Sequence, residues 1–121
     1  MVYADANFFI GLMNSKDALY ADAKDIQKKH KNDIQTSLLT IAELLVGCEK
    51  YGTDPEEVVG SIFQIAGVSG ISLVEAMKAA HYMKELKITA FDAVHCALAG
   101  GQIISADKGL EKTGITRIWD R

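Results

Sequence analysis

The chain has 121 residues, 49% of them apolar and 24% charged, with a formal net charge of -3. A chain of this length buries on the order of two thirds of its unfolded surface, so a single domain is expected to fold without disulfide or metal staples, and disordered and fibrous classes are excluded. The negative balance, with Arg117 and Arg121 the two arginines, also excludes a protein that holds nucleic acid through a broad basic surface.

From the N-terminus, residues 2–4 read as a short buried strand and residues 6–13 as a helix started directly behind it. A second helix is expected over residues 16–30, with Leu19, Ala23 and Ile26 on one face and Lys24, Lys28 and Lys31 on another. Residues 33–36 form a brief strand. Helices follow over 38–51 and, with Pro55 in its first turn, over 55–66. A third strand is expected at 68–71. Ser72-Leu73-Val74-Glu75 is a capping box that opens a helix to residue 86. Another helix spans 90–99 and stops at Gly100-Gly101. Strands over 102–105 and 115–119 flank a helical turn near 108–112. Strands alternating with helices, and no hairpin signal, predict a three-layer α/β/α fold around a mainly parallel sheet.

No apolar run approaches the ~20 residues that span a bilayer, and no basic flank precedes the first apolar run, so neither anchor nor signal peptide is expected and the expected location is the cytoplasm. Cys48 and Cys96 lie within helical segments without metal-ligand spacing and read as buried, reduced thiols.

Four acids punctuate this pattern. Asp5 follows the first strand, Glu43 and Asp92 fall in the opening turns of two helices, and Asp107 follows the strand over 102–105. In an open parallel sheet, ligands gather beyond the carboxyl ends of the strands, where Asp5 and Asp107 fall. Helix N-termini favour the ionised form of Glu43 and Asp92. Carboxylates without a nearby His or Cys ligand set suit a hard cation, Mg²⁺ or Mn²⁺, bound through oxygen.

In sequence the acids stand within VYADAN, TIAE, TAFDAVH and ISAD, and in this order and spacing the chain resembles, nearly end to end, the PIN-domain nucleases and among them the VapC-type toxins of toxin-antitoxin systems. The resemblance implies that residues 1–121 are one nuclease domain and a metal-dependent endoribonuclease. It implies that Asp5, Glu43 and Asp92 are the core catalytic metal ligands and Asp107 the fourth, acting directly or through water. Ser105 then orients the site, and Asn7 is a polar neighbour of the first acid. It further implies an RNA substrate, a homodimer and a small antitoxin whose basic segment blocks the site.

Plainer readings exist for several of these residues. Thr40 to Glu43 and Thr89 to Asp92 also fit helix capping, whereas Asp5 and Asp107 belong to no such box. His95 shares a helix side with Asp92 and stands at apolar spacing with Phe91, Val94 and Leu98, which suits a buried, hydrogen-bonded ring, with a supporting role beside Asp92 as the functional alternative. His30 and His81 read as structural or solvated. The lysines of the second helix fit a solvated face, and Lys108 is the better phosphate contact. Rival functions are a stand-alone RNA-processing nuclease, a phospho-accepting receiver domain and a non-catalytic PIN-fold binding module.

Overall fold

All three residues of the first strand, β1 (Val2–Ala4), are buried, as expected where both faces of a parallel sheet are covered. The computed structural model describes residues 1–119; Asp120 and Arg121, the second arginine noted above, lie outside the described residues. After β1 come α1 (Ala6–Met13), α2 (Tyr20–Lys29), β2 (Ile34–Ser37), α3 (Leu38–Tyr51), α4 (Pro55–Ile65), β3 (Gly67–Ser69), α5 (Leu73–Leu86), α6 (Ala90–Ala99) and β4 (Gln102–Ile104). A 3-10 turn, Lys108–Thr113, and β5 (Thr116–Arg117) complete the described chain.

The strands pair in the order β3-β2-β1-β4-β5, every pair parallel. Strand alternation divides the interior into two layers. Val2, Ala4 and Ile104 face a core built with Phe8 and Phe9 of α1, Ala23 and Ile26 of α2, Leu44 of α3 and Ile62 of α4. Tyr3 and Ile103 face the other side, against Cys96 of α6, Leu110 and Ile115. The result is the expected three-layer α/β/α arrangement. The strand order also removes the receiver-domain alternative, whose sheet runs 2-1-3-4-5.

β1 is the centre of the sheet and the place where the order reverses. The connection from β1 leads through α1 and α2 to β2 on one side, while β4 pairs on the other. A crevice opens outside the carboxyl ends of β1 and β4 at such a switch point, and it is the usual ligand site of an open α/β sheet.

Some boundaries differ from expectation. The second helix starts at Tyr20, not at residue 16, because Asn14 and Asp17 accept hydrogen bonds from the backbone N–H groups of Lys16 and Leu19 and hold this stretch as turns. The third strand is Gly67–Ser69, fixed by pairing with residues 35–37 of β2. The last strand is the shorter β5. Ser72 and Glu75 form the expected capping box of α5. Cys48 and Cys96 are free and buried, and burial pushes the Cys96 thiol up from its ordinary pKa. No described helix is long and apolar enough to cross a membrane.

Candidate active site

The rim above β1 and β4 is built from short polar segments that follow each strand. Asp5 is the N-cap of α1: its Oδ1 accepts the backbone N–H of Phe8 at 3.2 Å, and its own N–H continues the sheet ladder to the Ile104 carbonyl at 3.2 Å. The carboxylate is buried at 6% exposure. Burial raises the Asp5 pKa, opposed by hydrogen bonds from the Ser105 hydroxyl and the Phe8 N–H and by the nearby His95, and assisted by the negative charge of Glu43.

Ser105 is wholly buried at the end of β4 and serves two acids at once. Its hydroxyl bonds Asp5, and its Oγ accepts the Asp107 backbone N–H at 3.1 Å. Asp107 is exposed and caps the 3-10 turn, accepting from Gly109 N–H at 2.9 Å. From behind, the Arg117 guanidinium donates to the Ser105 carbonyl at 3.1 Å and holds this corner.

Asp92 lies in the first turn of α6, where its backbone N–H donates to the Thr89 hydroxyl at 3.4 Å. Burial raises the Asp92 pKa, and the negative charges of Asp107 and Glu43 raise it further, while Thr89 and His95 oppose the shift. The acids thus act on one another unevenly: the negative charge of Glu43 reaches Asp5 and Asp92, and that of Asp107 reaches Asp92. Among the described residues, however, no group of three or more Asp, Glu, His or Cys side chains is arranged so that it could hold a metal ion. Asn7, the second residue of α1, is exposed.

Glu43 departs from expectation. It is the sixth residue of α3, beyond the first turn where the helix dipole acts, and Thr40 is not its cap: the N-cap is Ser37, and the Thr40 hydroxyl is bonded to Thr36 at 2.8 Å inside the protein. What holds Glu43 is His95, whose Nε2 stands 2.5 Å from Glu43 Oε1. His95 is buried, as expected, yet its partner is Glu43 and not Asp92. Its Nδ1 meets the Tyr3 hydroxyl at 2.7 Å, and that hydroxyl meets Ser37 Oγ at 2.8 Å. Burial pushes the Tyr3 phenol up to about 12, so it is present as O–H. Tyr3 was legible in sequence only as a strand residue, and Ser37 fell between the strand expected over 33–36 and the helix expected from 38; a buried tyrosine signals that its hydroxyl has a partner, without saying which.

Beside Glu43, Leu39, Ala42 and Val46 of α3 and Phe91 of α6 line an apolar groove of about 300 Å³. Lys24 lies over the Tyr20 ring, while Lys28, Lys31 and Lys108 are exposed.

The donor set fits a small hard cation. Asp5 and Asp92 are disfavoured as anions by burial and by the charge of Glu43, with Asp107 also acting on Asp92, so a nearby positive charge would favour their ionised forms, and Mg²⁺ is commonly held by one or two carboxylates plus water.

No match to a curated protein sequence is found. The structure is similar to VapC20 of Mycobacterium tuberculosis, a sarcin-ricin loop cleaving toxin, with a TM-score of 0.84 and 14% identity over 98% of this chain and 99% of the other. It is also similar to a chain of a toxin-antitoxin complex from Klebsiella pneumoniae, at TM-score 0.73 and 23% identity over 88% of this chain and 87% of that one. VapBC2 of Rickettsia felis, solved bound to a promoter DNA fragment, gives 0.73 and 16% over 99% and 100%. At such identities these likenesses show the fold. The PIN-domain family model matches residues 2–115, and the chain belongs to the PIN-domain family.

Proposed function

We propose that the protein is a Mg²⁺- or Mn²⁺-dependent endoribonuclease, the toxin of a toxin-antitoxin pair. The observation that carries this reading is that, in a chain of the PIN-domain family, the negative charge of Glu43 reaches both Asp5 and Asp92, and that of Asp107 reaches Asp92. In this reading Asp5, Glu43 and Asp92 hold the ion, and Asp107 completes the set directly or through water. When bound, the ion supplies Lewis-acid polarisation of the phosphodiester and of the attacking water.

The chain's own contribution is orientation. The Phe8 N–H and the Ser105 hydroxyl point the Asp5 carboxylate, Ser105 ties Asp107 to the same corner, and His95 holds Glu43. No side-chain nucleophile is needed, and Asn7 at the rim is available to the substrate backbone.

Two surface features support protein partners. Residues Leu73, Val74 and Met77 share one side of α5 and are 77%, 77% and 64% exposed, which supports a second copy of this chain docking there. The apolar groove beside an acidic crevice suits an antitoxin segment that presents apolar side chains with a cationic group. The reading places the protein in the cytoplasm with its RNA substrate.

Incubating purified protein with a panel of RNAs tests the activity. Cleavage is expected with millimolar Mn²⁺ and none in excess chelator; cleavage that persists in chelator, or none under any condition, removes the reading.

A further inference from the structure

α6 places a polar ring inside and an aromatic ring outside: His95 is 3% exposed and Phe91, one turn earlier, is 56% exposed. The ring of His95 occupies a position between the sheet and α6 that an apolar side chain would fill without the cost of desolvating imidazole. That cost is offset only if every polar atom is paired, and here each is. Ser37 at the end of β2, Tyr3 in β1 and His95 in α6 form an unbroken buried line with contacts of 2.8 and 2.7 Å, and it ends 2.5 Å from Glu43. Among the described residues no buried side-chain nitrogen or oxygen is left without a partner.

The line has a direction. A carboxylate at Glu43 only accepts, so Nε2 carries the ring hydrogen that faces it; a neutral ring then accepts the Tyr3 proton at Nδ1, and the Ser37 hydroxyl is left to donate to the Tyr3 oxygen. Each donor polarises the next, so the N–H that reaches Glu43 is held in place by atoms on three separate segments. Glu43 needs this more than the other acids do. Asp5 and Asp107 are fixed by their own caps and Asp92 sits in a first helical turn, but Glu43 projects from the second turn of α3 on a longer side chain.

We infer that Ser37, Tyr3 and His95 form a positioning relay that fixes the Glu43 carboxylate for a divalent cation, with His95 as the residue that touches it. The inference rests on the nuclease reading above. It assigns roles to Tyr3 and Ser37, which lie outside the acid cluster, and it makes His95 a positioning residue and not a proton carrier in the reaction. Supporting residues of this kind, which orient a ligand from behind, typically change metal affinity or activity about 10- to 100-fold when removed.

A binding cycle tests this without relying on turnover. Apparent Mn²⁺ affinity is read from the rise of the thermal midpoint with Mn²⁺ concentration in wild type, Tyr3→Phe, His95→Gln, Glu43→Gln and the double variant Tyr3→Phe/Glu43→Gln, with RNA cleavage measured in parallel. Tyr3→Phe keeps the ring that packs in the core, so it stands in if His95→Gln does not fold. The relay predicts that Tyr3→Phe and His95→Gln each weaken Mn²⁺ binding by roughly tenfold or more. It also predicts that Tyr3→Phe adds nothing once Glu43 is already Gln, because the hydroxyl acts through that carboxylate. Tyr3→Phe binding Mn²⁺ as wild type does, or weakening the Glu43→Gln protein by the same factor as wild type, overturns the relay and leaves a tie between β1 and α6. In that case wild type still responds to Mn²⁺ and cleaves RNA, so the nuclease reading stands; a wild type that does neither removes both.

Discussion

Asp92 answers to two opposed demands. The first turn of α6 and the Thr89 cap favour its anion, but burial and the charges of Asp107 and Glu43 disfavour it, and the balance raises its pKa. A carboxyl whose pKa is higher folded than unfolded holds its proton more tightly in the folded protein. Its contribution is complete below the unfolded value of ~3.9 and is lost as pH rises through the folded value. In chelator, Asp92→Asn should therefore melt above wild type, with a gain at pH 8 larger than at pH 4. A variant that melts lower at pH 8 would mean that Asp92 acts there as a helix cap. Asp5→Asn keeps the Phe8 cap acceptor but removes the buried charge, and cleavage should fall by at least roughly two orders of magnitude. Near wild-type cleavage by that variant takes Asp5 out of the site. Order and spacing single out the four acids, yet the local roles of three of them differ from the capping pattern. Asp5 and Asp107, which match no capping box, do cap helical turns, whereas Glu43, which matches one, caps nothing. Box patterns report only neighbours three residues apart, and His95, the partner of Glu43, is 52 residues away.

Where local chemistry is self-contained, the segments could be read to within a residue or two. Pro55 at the start of α4, the box at Ser72 and Glu75, and the glycine stop after α6 all act through neighbours in the chain. The start of α2 was misread because apolar periodicity continues back through Leu19 while Asn14 and Asp17 compete for the backbone with turns. The strands are two to four residues long, and their ends are set by pairing, which periodicity does not contain. The capping box gives a direct test of helix energetics away from the crevice. Ser72 Oγ accepts the Glu75 N–H at 3.2 Å, and the Ser72 N–H donates to the Glu75 carboxylate at 2.9 Å. Ser72→Ala should cost about 1 kcal/mol in urea denaturation and leave Mn²⁺-dependent cleavage unchanged. A loss well under half of that would show that packing against α6, rather than the box, holds the start of α5.

The sheet order reverses at β1, and because β1 and β4 pair in parallel, the segments that carry Asp5 and Asp107 leave the same end of the sheet although nothing in their sequences joins them. The same topology leaves α5 on the outer flank of α6, and its composition is unusual for such a place. Of its 14 residues only Ala79 is buried, while Leu73, Val74 and Met77 project from one side. Leaving large apolar side chains in water forgoes roughly 25 cal/mol per Å² that could be covered. A stable pair of subunits needs on the order of 800 Å² from each, more than these three side chains supply, so the dimer should extend beyond α5 but depend on it. Sedimentation equilibrium at tens of micromolar is expected to give twice the 13.2 kDa chain mass for wild type. Met77→Glu places a charge at the centre of the patch, where burial against a second copy leaves it unpaired, and should shift the protein to monomer. Met77 is largely exposed in the single chain, so this variant should melt within a few degrees of wild type once both are compared at concentrations where each is monomeric. A wild type that stays monomeric at this concentration, or a Met77→Glu protein that still dimerises, would take α5 out of the interface and leave its apolar side to a different partner.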